Sequence, residues 1–93
     1  MSDLYHIYIQ RKKGSSQEDV EKIMNLAVDW YRYRDGAYVI LTTSDQNKWK
    51  ERFGPLVKPD GFLFISKLDV KNYQGWMPQN FWTWFEDKVK KIT

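Results

Sequence analysis

The stretch Trp30–Thr43, WYRYRDGAYVILTT, decides how this chain is read. Trp30–Arg34 and Ala37–Thr43 are aromatic and β-branched, the composition of strands. Asp35-Gly36 between them is the dipeptide that best tolerates the positive φ angles of a two-residue hairpin turn. The second arm puts Val39 and Leu41 on one face and Tyr38 and Ile40 on the other. Apolar residues on both faces predict a central strand covered from both sides.

On the N-terminal side, Leu4–Gln10 alternates, with Tyr5, Ile7 and Ile9 on one face and Leu4, His6, Tyr8 and Gln10 on the other, and Arg11–Gly14 closes this first strand. Ser15 followed by Glu18 has the spacing of a capping box. Val20, Ile23, Met24, Ala27, Val28 and Tyr31 then recur at helical spacing, which predicts a helix from Ser16 to Asp29. On the C-terminal side, Thr43 or Ser44 caps a short second helix that buries Trp49 and Phe53 and stops at Gly54-Pro55. Pro59-Asp60-Gly61 reads as a turn. Phe62–Leu68 reads as a fourth strand with Leu63 and Ile65 opposite Phe62 and Phe64, and Asp69–Met77 as a loop. Pro78 opens a last helix in which Phe81, Phe85, Val89 or Lys88, and Ile92 share a face, while Trp82 and Trp84 point elsewhere.

A hairpin between two helical crossovers is the split βαβ pattern. The whole chain, residues 1–93, is therefore expected to be one α+β domain, a ferredoxin-like βαββαβ sandwich with a four-stranded antiparallel sheet and an added C-terminal helix.

Composition narrows the function classes. The chain is 42% hydrophobic and 17% aromatic, so rings must build much of the core, and some of them are expected at the surface or in an interface. With no cysteine there is neither a disulfide framework nor a thiolate zinc site. Met1–Tyr5 lacks an apolar signal region and no apolar run reaches the roughly 20 residues of a membrane span, which predicts a cytoplasmic protein that does not cross a bilayer. The net charge of +3 permits an anionic partner without demanding one.

Catalysis leaves no residue signature here. His6 is the only histidine and lies within a strand, away from any elbow-type turn, so a structural or interface role is expected for it. Asp3, Asp45, Asp60 and Asp69 fall beside caps and turns, and the glycines stand singly without forming a phosphate loop. No enzyme activity, no metal and no cofactor is expected.

Binding is the remaining class. Sheet-based recognition of single strands stacks bases on exposed aromatics and holds phosphates with basic residues at the rim. Tyr8 and Tyr38 are the candidate stacking groups. Arg11, Lys12, Lys13, Arg32 and Arg34 are the candidate phosphate contacts, provided that their strand ends converge at one edge of the sheet. The aromatic segment Tyr73–Phe85, with Tyr73, Trp76, Trp82 and Trp84, either anchors the last helix or offers a hot spot to a protein partner.

Asp60–Leu68 (DGFLFISKL), Tyr73–Trp76 and the Trp82–Phe85 helix, together with Trp30, Tyr38–Thr43 and Leu4–Ile9 in that order, resemble the small proteins described as SinR-like, relatives of the CRISPR-associated Cas-two family. The resemblance implies a ferredoxin-like fold and a homodimer. It also implies a metal-binding aspartate at the end of the first strand, a place that Gln10 takes in this sequence, followed by Arg11. An amide lacks the charge a magnesium site needs, so the resemblance supports the fold and argues against inherited nuclease activity. The expectation is a non-catalytic Cas-two-like binding module with nucleic acid as the favoured ligand. The alternative is an inhibitor- or antitoxin-like protein-interaction module.

Overall fold

Two strands with apolar residues on both faces must occupy the middle of a sheet, and they do. Among the residues described, 1–92, the computed structural model has strands β1 (Asp3–Gln10), β2 (Asp29–Arg34), β3 (Ala37–Thr42) and β4 (Phe62–Lys67), and helices α1 (Gln17–Met24), α2 (Gln46–Val57) and α3 (Gln79–Ile92). The sheet order is β2-β3-β1-β4, with β1 antiparallel to both β3 and β4 and β2 antiparallel to β3. The element order β-α-β-β-α-β-α makes this a ferredoxin-like α+β fold with one extra C-terminal helix.

The hairpin forms where expected, with Asp35-Gly36 as the two turn residues between the paired Arg34 and Ala37. Within the turn only Gly36 has positive φ, at 79°, and the register shifts between Arg32↔Tyr38 and Arg34↔Ala37. Tyr33 is thus the extra residue of a bulge in β2 beside the turn.

The helices depart from the sequence reading at their ends. Ser16, not Ser15, caps α1: its hydroxyl accepts from Asp19 N–H, and the Asp19 carboxylate accepts from Ser16 N–H in return. The helix stops at Met24, five residues short of Asp29, because Leu26 N–H and Ala27 N–H bond three residues back, to Ile23 and Met24. Val28 N–H is already bonded to the Leu41 carbonyl of β3. For α2 the cap is Asp45, which accepts from Lys48 N–H at 2.9 Å, and the helix runs through Gly54-Pro55 to Val57. The proline removes one backbone donor in the last turn. Continuing past it buries Val57 and lets the Leu56 carbonyl oxygen accept from Lys12 N–H at 2.8 Å.

Each sheet face has its own core. Tyr5, Ile7 and Ile9 of β1, Tyr38 and Ile40 of β3, and the half-buried Leu63 and Ile65 of β4 meet Val20 and Met24 of α1 and Trp49, Phe53 and Val57 of α2. Trp49 is fully buried, and its Nε1 donates to Thr42 Oγ1 at 3.1 Å. On the other face Leu4, Val39 and Leu41 meet Phe81 and Phe85 of α3. The added helix thus covers much of the second face within the single chain.

One contact closes the site-bearing end of the sheet. A Cβ at Gly61 would collide with the Gln10 carbonyl oxygen and lie 2.8 Å from that of Val57, whereas one at Gly75 meets nothing within 4 Å. Gly61→Ala is expected to lower the unfolding free energy by roughly 1–3 kcal/mol. Gly75→Ala should change it by less than about 0.5 kcal/mol. Urea titrations of the two variants measure the difference.

Candidate nucleic-acid interface

Of the cations singled out in the sequence, Arg11, Lys12, Lys13 and Arg34 lie at one end of the sheet, whereas Arg32 pairs with Tyr38 and so belongs to the face opposite Tyr8. Arg11, Lys12 and Lys13 lie in the loop after β1, and Arg32 and Arg34 close β2 at the hairpin. The backbone bond from Ile9 N–H to Gly36 O, at 2.8 Å, joins the two at one end of the sheet. Gln10 pairs with Phe62, which brings the start of β4 and the preceding Lys58 to the same end. Two of the cations are held by local partners. Arg32 Nη2 sits 2.6 Å from the Asp35 carboxylate, and Arg11 Nη1 donates to the Ser15 carbonyl. Lys13 and Arg34 are exposed, and Arg11 and Lys12 are half-buried.

The tyrosines do not converge. Tyr8 pairs with Ala37 while Ile7 pairs with Tyr38, so Tyr8 and Tyr38 point to opposite faces. Tyr38 is fully buried beneath the helices, close to the Trp30 ring, and its hydroxyl accepts from Gln17 Nε2 at 2.8 Å. That burial corrects its expected role as a stacking group. Tyr8, on the second face, is 42% exposed.

Two residues the sequence reading left out take the place of Tyr38. Phe64 pairs with Tyr8 and Phe62 with Gln10, and the two phenylalanines are 64% and 69% exposed. Antiparallel partners share a face, so Tyr8, Gln10, Phe62 and Phe64 form one patch across β1 and β4, beside the cationic end. A depression of about 260 Å³ lined by Tyr8, Gln10, Arg11, Asp35 and Gly36 joins the patch to the hairpin. The sequence signal for Phe62 and Phe64 was the strand alternation itself, once the inner face is assigned to Leu63 and Ile65.

The position of α3 sets the border of this patch. Lys88 Nζ lies 2.8 Å from the Asp29 carboxylate and Trp84 Nε1 donates to the same group, tying the helix to the start of β2. Burial works to raise the Asp29 pKa, but the hydrogen bonds from Lys88, Trp30 N–H and Trp84 outweigh it and hold the pKa below the usual value. Of the residues expected to meet a partner, Tyr73, Trp82 and Trp84 are half-buried. Tyr73 packs on Trp82 and Phe85, and Trp84 on Tyr31, so these three anchor the helix. Trp76 is fully exposed.

Among the described residues no three Asp, Glu or His side chains gather as a metal site would require, and no helix is long and apolar enough to cross a membrane. No protein-family model and no curated protein matches the chain.

His6, between the patch and α3, has its Nε2 2.6 Å from Tyr33 Oη, and burial lowers its pKa below 6.5. A depressed value favours the neutral ring in the folded state. The stabilisation is complete above the unfolded pKa and is lost as pH falls through the folded one. Because His6 is the only histidine, stability should drop between about pH 7 and pH 5 in the wild type, and this drop should flatten in His6→Gln. Urea midpoints across that range check it.

Proposed function

We propose that the chain is a non-catalytic, cytoplasmic, Cas-two-like binding module whose ligand is single-stranded nucleic acid. The observation that carries the reading is the adjacency of three exposed rings, Tyr8, Phe62 and Phe64, to a sheet end bearing Arg11, Lys12, Lys13 and Arg34. Exposed rings on a sheet offer stacking surfaces to bases of any sequence, and the cations hold the phosphates that follow. The Gln10 amide stands between ring and cation, where it can donate to or accept from a base edge or sugar. The βαββαβ order agrees with what the resemblance implies, and Gln10 at the end of β1 is the reason the reading is binding and not cleavage.

A second reading rests on a different observation. β4 is an edge strand with two exposed phenylalanines, and an apolar edge strand is a template for pairing with another chain. A groove of about 730 Å³ between α2 and β4, lined by Asn47, Lys50, Gly54, Leu63 and Ile65, leaves room beside that edge. On this reading the chain is a homodimer joined through β4, and light scattering should return about twice the 11.3 kDa chain mass.

Fluorescence anisotropy with a labelled oligonucleotide at low and physiological salt tests the first reading. Phe62→Ala/Phe64→Ala should weaken binding by roughly tenfold or more and keep the salt slope. Lys13→Ala/Arg34→Ala should weaken it and flatten the slope, because fewer counterions are released. Absence of wild-type binding at low salt overturns the reading, and dimeric mass lost in the phenylalanine variant would then favour pairing through β4.

A further inference from the structure

Along α3, Gln79, Trp82 and Glu86 recur at helical spacing and form one wall of an open cleft of about 650 Å³. The other wall is the loop segment that carries Tyr73, Gln74 and Trp76. The Tyr73 and Trp82 rings are stacked, 6.0 Å between centroids and 26° apart, and Trp76 stands fully exposed at the mouth. Glu86 is the only charged residue in this lining.

Two of the three tryptophans outside the cleft carry a cation over the ring. Arg52 Cζ lies 4.6 Å from the Trp49 ring centre and Lys88 Nζ 5.5 Å from that of Trp84. Trp76 and Trp82 have no such cation among the described residues. The cleft therefore offers aromatic faces, whose quadrupole attracts a cation, together with a carboxylate and two side-chain amides that accept hydrogen bonds.

We propose that this cleft binds an arginine side chain of a partner protein. The inference rests on reading the chain as a binding module and is independent of nucleic acid as the ligand. A quaternary ammonium ion has no N–H to donate, so it gains charge attraction from Glu86 but no hydrogen bond from Glu86, Gln74 or Gln79. A lysine ammonium does not lie flat on a ring. The planar guanidinium does both at once: its face rests on Trp76 or Trp82 while its edge donates to the Glu86 carboxylate. The cleft is larger than one side chain and takes the residues that flank the arginine.

The test is an NMR titration of the indole N–H signals with an acetylated, amidated Gly-Arg-Gly peptide. The same peptide carrying citrulline, a neutral near-isostere, and tetramethylammonium chloride at matched ionic strength are the comparisons. The expected result is a saturable shift of the Trp76 and Trp82 signals with Trp49 unmoved, and an affinity for the citrulline peptide and for tetramethylammonium that is several-fold weaker. Trp76→Ala, which removes a fully exposed ring, and Glu86→Gln should each weaken the arginine peptide by roughly two- to fivefold. Equal response to citrulline or to tetramethylammonium, or unchanged binding in both variants, overturns the proposal. If the oligonucleotide still binds in those variants, the two surfaces are separate; if the arginine peptide binds while the oligonucleotide does not, only the nucleic-acid reading fails.

Discussion

The structure depends on a mismatch between the width of its sheet and the number of helices available to cover it. Four strands spaced about 4.8 Å apart make a sheet roughly 19 Å wide, and a helix with its side chains covers about 10 Å. β1 and β3 carry apolar residues on both faces, so both faces demand cover. Two helices, α1 and α2, suffice for the first face. The second face receives only α3, and one helix cannot cover four strands. The Asp29, Lys88 and Trp84 contacts pull α3 towards β2, so the deficit falls on β4 and the C-terminal half of β1. Tyr8, Phe62 and Phe64 are exposed for that reason, and the exposed patch follows from where the helix is tied.

That constraint also separates what was legible in the sequence from what was not. The hairpin at Asp35-Gly36 and the alternation of each strand were readable, because they depend on neighbouring residues. The relative phase of β1 and β3 was not. His6 and Gln10 mark the outer face of β1, but β3 is apolar on both faces and does not announce which one meets the helices. The structure aligns Ile7 with Tyr38, which sends Tyr38 inward and leaves Tyr8 outside. A polar residue on one face of β3 would have fixed that phase, but all six of its residues are buried.

Helix ends were misjudged for a related reason: the local signals were present but competed. Ser15 and Ser16 both precede an acidic residue at capping distance, Glu18 and Asp19, and sequence alone does not choose between them. In the structure Ser15 Oγ instead donates to the Lys12 carbonyl, which leaves Ser16 to cap. Gly54-Pro55 reads as a terminator. Tertiary packing of Val57 and Leu56 against the core outweighs the lost backbone bond, and α2 continues for one more turn.

The sixteen rings of the chain show what this arrangement leaves over. Tyr5, Tyr38, Trp49 and Phe53 are buried under the first two helices, with Trp30 beside them. Tyr31, Tyr33, Tyr73, Phe81, Trp82, Trp84 and Phe85 form the contact between α3, its preceding loop and the second face. Four remain: Tyr8, Phe62 and Phe64 beside the cationic end, and Trp76 beside Glu86. A core short of apolar material would have drawn these rings inward, since each buries a large area when covered. Both sets stay outside next to charge. The first borders cations and the second borders a carboxylate, so the two surfaces suit ligands of opposite sign. On the two proposals, the anionic strand and the cationic side chain would therefore meet different rings, Tyr8, Phe62 and Phe64 for the one and Trp76 and Trp82 for the other.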